Sequence, residues 1–169
     1  ARPVIGDSPA IGTAQGVAAR IGLLDPAGKS GVEIVNFSHP TEVALKNPIK
    51  YRKLELSAQA LEFDRTVNLA KLKTHDLLLL TLAVKNLFGC VAGKRKPAYH
   101  LEVGHRPELF AELLLEIYKC LSPSLSIIDA VVAMEGNGPV HGRPSPVGVL
   151  LASQDAVALD AVGCAALRL

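Results

Sequence analysis

The chain has 169 residues and 49% hydrophobic content, which suits one α/β domain with a sizeable core and excludes a disordered protein. A net charge of +2, 4% aromatic residues and the absence of Trp argue against nucleic acid or an anionic membrane as a partner. The apolar run Leu77–Leu80 is the longest in the central part of the chain and falls far short of the roughly 20 residues of a membrane span.

The cysteines indicate a reducing compartment. Cys90, Cys120 and Cys164 are widely separated and odd in number, which favours reduced thiols in a cytoplasmic protein over a disulfide framework. No CxxC pair occurs, so the chain itself shows no iron–sulfur or structural zinc motif. Because the sequence opens in a strand-like segment and stops within a helical pattern, we expect residues 1–169 to form one α/β domain excised from a longer protein.

The first predicted element is a strand at Pro3–Gly6, followed by a turn and a helical pattern from Ile11 to Leu24. A strand-to-helix turn places backbone N–H groups where they bind anions, which makes Asp7 a candidate ligand-binding residue. An ordinary turn explains the same pattern equally well. Further strands are predicted at Val32–Phe37 and Arg65–Leu72.

Basic residues then follow within apolar sequence, which indicates an anion site because removing an ammonium group from water is costly. Lys71, Lys73 and His75 alternate at the end of a predicted strand and should point to one side. This is the carboxyl end, where open α/β sheets bind ligands. A solvated strand end is the alternative interpretation.

A helix is predicted over Leu77–Phe88, with Lys85 on a largely apolar surface. We expect Lys85 to point inward to a partner or ligand. Alternatively, its stem packs on the core while its ammonium reaches water. The following stretch, Gly93–Tyr99, is a basic loop that is equally well explained as a solvated charge run.

The clearest helix is Pro107–Leu121, whose glutamates, including Glu116, should form a solvent-exposed stripe. A buried strand at Leu125–Val132 leads into a glycine-rich loop at Glu135–Pro144, and glycines permit close backbone approach to a ligand. A tight connection alone would explain some of these glycines.

The last helix begins near Gln154, and Asp160 is the only charged residue of Ala156–Leu167. Such a helix is predicted to be buried on all sides, where a lone carboxylate is strongly unfavourable. We therefore expect Asp160 to pair with a buried cation, with Lys85 as the first candidate.

Five segments together make the chain similar to a known family. They are GDSP at Gly6–Pro9, KLKTH at Lys71–His75, TLAVKNLFG at Thr81–Gly89, IIDAVVAMEGNGPVHG at Ile127–Gly142 and ASQDAVALD at Ala152–Asp160. With these segments the chain resembles the domain-of-unknown-function family 362. The resemblance implies a domain often found in proteins with a ferredoxin-like iron–sulfur module. The cysteines of that module are missing here, so the cofactor is unknown.

The predicted fold is α/β, with a mostly parallel sheet and helices on both faces. The predicted function is to bind a small anionic ligand, a carboxylate or a phosphate, in a basic cleft lined by Lys71, Lys73, His75 and the loop from Glu135 to Gly142. The candidate catalytic residues are His75, Lys85 and Glu135. The candidate ligand-binding residues are Asp7, Lys71, Lys73, Asn86, Gly136, Asn137, Gly138 and Asp160.

Two alternatives stay open from the sequence. One is a non-catalytic scaffold domain that supports an attached redox module. The other is a metal-dependent enzyme using His75, His100 or His105, which ranks last because the spacing of His100 and His105 does not match a helical ligand pair. We expect neither a nucleic acid nor a membrane as a partner.

Overall fold

A computed structural model describes residues 2–93 and 95–167 of the chain. Its helices and strands, in chain order, are β1 (Val4–Asp7), α1 (Ala14–Arg20), α2 (Leu24–Lys29), β2 (Glu33–Asn36), β3 (Pro40–Ala44), β4 (Lys53–Ser57), α3 (Ala58–Leu61), β5 (Val67–His75), β6 (Leu79–Thr81), α4 (Ala83–Asn86), a 3₁₀ helix (Leu87–Cys90), α5 (Arg95–Val103), α6 (Pro107–Leu121), β7 (Leu125–Glu135), β8 (Arg143–Ser153) and α7 (Ala156–Ala166).

The chain divides into two compact units. Unit 1 consists of Ala1–Lys46, Arg52–Phe63 and Gly89–Glu102, and unit 2 of Asn47–Tyr51, Asp64–Phe88 and Val103–Leu169. The single domain over residues 1–169 that the sequence suggests stays a prediction.

Unit 1 is built on two small sheets. β1 pairs with β2 in parallel, and β3 pairs with β4 antiparallel. Thr13 begins α1 as its N-cap, because its hydroxyl accepts the N–H of Gly16 at 3.1 Å. The helices α1 and α2 pack small side chains, Ala18 and Ala27, with Ile34 of β2 in a local core.

Unit 2 contains a four-stranded sheet in the order β6-β5-β7-β8. Only β5 and β7 are parallel, and both outer pairs are antiparallel. The predicted mostly parallel sheet with helices on both faces is therefore wrong. The connection from β7 to β8 spans only residues 136–142, whereas a parallel crossover needs about a dozen residues or more. The glycine-rich loop consequently turns the chain back as a hairpin.

Helices cover one face of this sheet. Ala70, Leu72 and Ile128 lie on that face and form a core with Ala83 of α4 and Leu159 of α7. The alternate residues point to the other face of the sheet, since strand side chains alternate, and several of them are exposed. We call the two faces the covered face and the open face.

The helix predicted over Leu77–Phe88 is also wrong in its first half. Leu79–Thr81 forms β6, which pairs antiparallel with the end of β5. The helix α4 begins only at Ala83, and a 3₁₀ helix follows it. A short apolar run has no periodicity that separates a strand from a buried helix, and here it pairs at the edge of the sheet.

The predicted helix at Pro107–Leu121 is confirmed as α6, but one of its glutamates is not solvent-exposed. Glu116 is only 1% exposed. Its Oε1 accepts the backbone N–H groups of Ile49 and Lys50. The carboxylate therefore anchors an incoming loop segment instead of facing water, and the buried charge is stabilised by these N–H groups.

Candidate functional site

The end of β5, the helix α4 and the helix α6 bring two predicted catalytic residues to one aromatic side chain. The ring centroids of His75 and Phe110 are 6.3 Å apart. The Nζ atom of Lys85 lies 5.0 Å from the centroid of Phe110 and 4.8 Å from that of Phe88. Both phenylalanines are buried, and their rings meet edge to face. His75 and Lys85 thus lie at one aromatic wall.

One contact of Lys85 and one hydrogen bond of His75 bear on how these side chains could interact with a ligand. An ammonium group over an aromatic face gains roughly 0.5–2 kcal/mol, which holds the Lys85 side chain in place. The Nδ1 atom of His75 accepts the N–H of Leu77 at 3.2 Å. This hydrogen bond assigns the proton of the neutral ring to Nε2. In that tautomer the Nε2 atom of His75 is an N–H donor, and Lys85 carries a positive charge.

The glycine-rich loop packs against the same strand end. A Cβ atom on Gly138 would lie 2.1 Å from the carbonyl oxygen of Thr74 and 2.4 Å from its Oγ1, so only glycine fits here. Gly136 has a φ of +82°, which also favours glycine. The base of the loop is closed by an ion pair of 3.0 Å between Glu135 and Arg143. Glu135, predicted as catalytic, is engaged in this closure.

Thr74 itself has an unusual hydroxyl group. Its Oγ1 is buried and finds no hydrogen-bond partner within residues 2–93 and 95–167. A buried polar group without a partner costs about 1–3 kcal/mol. The hydroxyl lies against the glycine-rich loop at Gly138, where a ligand or water would satisfy it.

The lysines of β5 have separate environments. The Nζ of Lys71 donates to Asp129 Oδ2 at 2.8 Å, and both side chains are about half exposed. The hydrogen bond from Lys71, together with that from the N–H of Val131, lowers the pKa of the Asp129 carboxyl. Lys73 is partly buried, in register with Met134 of β7. The charge of Lys71 is thus already compensated, whereas His75 contacts Phe110.

Asp160 has a different partner from the one predicted. Its two carboxylate oxygens accept the backbone N–H groups of Ala83 at 2.7 Å and Val84 at 3.0 Å. The predicted ion pair with Lys85 is wrong, because the first N–H groups of α4 take the place of the cation. Burial raises the pKa of Asp160 to about 6, against the lowering effect of these two hydrogen bonds. Asp160 positions the helix that carries Lys85.

Asn86 has a similar positioning role. Its Nδ2 donates to Asn68 Oδ1 at 2.8 Å and to the carbonyl of Leu69 at 2.9 Å. Asn68 in turn donates to the carbonyl of Ala83 at 2.8 Å. Both amide hydrogens of Asn86 are therefore used to hold α4 against β5. Asn137, the remaining predicted residue of the loop, is exposed.

Asp7 belongs to unit 1, at the carboxyl end of β1. Its Oδ1 accepts the N–H of Ser8 at 2.7 Å, and a Cβ on Gly89 would lie 2.7 Å from it. The ammonium of Lys96 donates to the carbonyl of Ser8. Burial lowers the pKa of Lys96 and raises that of the Cys90 thiol to about 12. Both pKa values also respond to the charge of Asp7.

Sequence reasoning missed this cluster. The predicted basic loop is wrong from Arg95 onward, because Lys96 lies in the helix α5. The burial of its ammonium had no signal in the sequence. Lys94, in the same predicted loop, lies outside the described residues. Cys90 directly follows the TLAVKNLFG segment, which is the one feature that would have drawn attention to it.

A separate cavity opens between α1 and α2. It has a volume of about 630 Å³ and is lined by Ala19, Gly22, Leu24, Asp25, Gly28 and Lys29. Lys29 is paired there with Asp25 at 2.7 Å. None of the predicted site residues lines this cavity.

Two features are absent from residues 2–93 and 95–167, a membrane-spanning helix and a cluster of metal-ligating side chains. There, none of the helices is both long enough and apolar enough to cross a bilayer. Over the same residues, no three His, Cys, Asp or Glu side chains come together in a group that would hold a metal ion.

The chain is similar to a known protein family and to a curated protein. The family described as "Domain of unknown function (DUF362)" matches residues 1–165. The thylakoid-associated protein sll1697 of Synechocystis sp. (strain ATCC 27184 / PCC 6803 / Kazusa) is 45% identical over 161 residues, which are 95% of this chain and 50% of that protein. The chain thus spans about half the length of this curated relative.

Proposed function

The chain belongs to the DUF362 family, and we propose that its unit 2 binds a small anion, a carboxylate or a phosphate, beside the end of β5. Lys85 supplies the positive charge and His75 the N–H donor. The backbone of residues 136–138 borders the ligand. The observation that supports this most directly is the meeting of His75 and Lys85 at the ring of Phe110.

Three physical features favour an anion at this place. The buried aromatic wall lowers the local dielectric constant, which strengthens the attraction between Lys85 and a negative charge. The Oγ1 hydroxyl of Thr74 is a donor in need of an acceptor. Asp160 and Asn86 fix both ends of the short helix α4. Lys85 is therefore held in place before the ligand arrives, which reduces the entropy lost on binding.

The first test is a titration with inorganic phosphate and with acetate, followed by NMR of the imidazole and lysine side chains. Lys85→Met keeps most of the side-chain volume and removes the charge. We expect it to weaken binding by roughly tenfold or more, as for the loss of a charge-assisted hydrogen bond. Lys29→Met is the control, since Lys29 is exposed and paired with Asp25. Equal affinities of the two variants would contradict the proposal.

A second variant separates ligand binding from folding. Thr74→Val replaces the Oγ1 hydroxyl by a methyl group of similar shape. If the hydroxyl donates to the ligand, affinity falls, while the melting temperature of the free protein stays the same or rises because a partnerless buried hydroxyl is gone. Lower stability with unchanged affinity would argue against a ligand contact of Thr74.

We further propose that His75 acts in catalysis at this anion site. Histidine is the side-chain type best suited to proton exchange near neutral pH, and His75 is the candidate to exchange a proton with a bound anion. Glu135 serves the site by closing the loop through Arg143. A pH profile of turnover that is lost in His75→Gln, with anion affinity retained, would support this role.

We also propose that the natural protein carries a ferredoxin-like module and is located in the cytoplasm. The module would have to lie outside residues 1–169, which have no CxxC pair. Electron paramagnetic resonance of the natural protein, purified without oxygen, tests for a cluster. The relative is named as thylakoid-associated, so cell fractionation with an antibody against this chain is the test of location.

A further inference from the structure

The open face of the sheet in unit 2 has a contiguous apolar surface. The register places Leu69 beside Ile127, and Ile127 beside Ala152, across three neighbouring strands. Leu69 is 67% exposed and Leu150 is 64% exposed. The apolar members of this surface are Val67, Leu69, Leu125, Ile127, Leu150 and Ala152. A parallel strand pair is usually covered on both faces, which makes an exposed apolar surface on β5 and β7 unusual.

A pair of opposite charges lies in the same surface. Lys71 is the register partner of Asp129, and Asp129 is the register partner of Leu150. The Nζ and Oδ2 atoms of the pair are 2.8 Å apart, and both side chains remain about half exposed. The part of the surface around this pair therefore contains one group of each sign. Lys73, which follows Lys71 on the same side of β5, is partly buried.

We propose that the open face binds the same face of a second copy of this chain in an isologous dimer. A two-fold axis near the charge pair sets Lys71 against Asp129 of the partner subunit and Asp129 against Lys71 of the partner subunit. The apolar rows then face each other. A pair of opposite charges is complementary to a second copy of itself about such an axis, because each charge faces one of opposite sign. A partner whose surface carried charges of one sign only would place a like charge against either Lys71 or Asp129.

The test exchanges the charges. Lys71→Glu leaves two acids on the face, and Asp129→Lys leaves two bases. Each variant alone places like charges across the axis, so we expect its dimer dissociation constant to rise roughly hundredfold in sedimentation equilibrium. Mixed in equal amounts, the two variants should form a heterodimer, because each now complements the other. A single variant that dimerises as well as the wild type overturns the proposal.

Apolar variants provide the matched control. Leu69→Ser removes an exposed leucine from the open face, and Ile21→Ser removes an isoleucine that is 68% exposed in unit 1. We expect only Leu69→Ser to weaken the dimer. Far-ultraviolet circular dichroism checks that both variants are folded. A wild-type chain that stays monomeric up to about 1 mM, beyond the range of a stable interface, also overturns the proposal.

Discussion

The covered and open faces of the sheet in unit 2 are made by alternate residues of the same strands, yet their energetics differ. On the covered face Ile128 is 0% exposed and packs with α4 and α7. On the open face Leu150 is 64% exposed beside an ion pair. Both faces contain leucine, isoleucine and valine. The apolar content of a strand therefore does not determine which of its faces is covered, because that depends on where α4 and α7 pack.

The largest expected effect comes from a cavity on the covered face. Ile128→Ala removes methyl groups from a fully buried site, and we expect it to lower the free energy of unfolding by about 2–5 kcal/mol. Leu150→Ala on the open face should change it by less than about 0.5 kcal/mol. Urea unfolding at low concentration, where association is negligible, measures both. Similar losses for the two variants would contradict the two-layer description.

The next effect concerns the attachment of α4 to α7, the helices that cover the sheet. Asp160→Ala leaves the buried N–H of Ala83 without its acceptor, which costs about 1–3 kcal/mol. The control is Asp155→Ala, because Asp155 caps α7 itself by accepting the N–H groups of Val157 and Ala158. That exposed cap is worth about 1 kcal/mol. In NMR, only Asp160→Ala should shift the resonances of Lys85.

The pH dependence of stability also tests the contact between Asp160 and the start of α4. Burial raises the pKa of Asp160 from 3.8 to about 6 in the folded chain. Between these values the folded state binds more protons than the unfolded state, so stability decreases as the pH rises. The contribution of Asp160 to the free energy of unfolding is present in full below the pKa of the unfolded state. It is lost as the pH rises through the pKa of the folded state. Asp160→Asn should remove this slope from the unfolding free energy, whereas Asp155→Asn should retain it.

The smallest effect is expected for the ion pair of the open face. A double-mutant cycle of Lys71→Ala and Asp129→Ala in the monomer should give a coupling of about 0.2–1 kcal/mol, because exposed pairs are screened by water. The coupling should decrease further in 1 M salt. A coupling above about 2 kcal/mol would mean that the pair is more deeply buried than its exposure indicates.

Several elements were predictable because they depend on local pattern. The helix Pro107–Leu121 has an apolar stripe at helical spacing and a proline in its first turn, and it forms with the predicted bounds. The strands β5 and β7 were predictable from their apolar content: β5 begins two residues and ends three residues later than predicted, and β7 begins at the predicted residue and ends three residues later. The run at Leu79–Thr81 was misassigned because its pairing with β5 is not a local property.

For the candidate site as well, some features were predictable from the sequence and others depend on packing. The sequence indicated His75 and Lys85 as chemically significant, because basic residues within apolar sequence need a partner. Their meeting at Phe110 depends on how α6 packs. The partner of Asp160 was predicted as a side chain, since backbone N–H groups at the start of a helix are invisible until the helix itself is located.

Sequence alone was sufficient for the resemblance to the family, for the strong local elements and for Asp160 as an acid that requires compensation. Tertiary structure alone decided which strands run parallel, which face of the sheet is covered, and which groups satisfy Asp160 and Glu116. The physical reason is that helical and strand periodicity is set by neighbouring residues, whereas hydrogen-bond partners and packed faces come from segments far apart in the chain. Those partnerships are fixed only when burial forces each polar group to find an acceptor or donor.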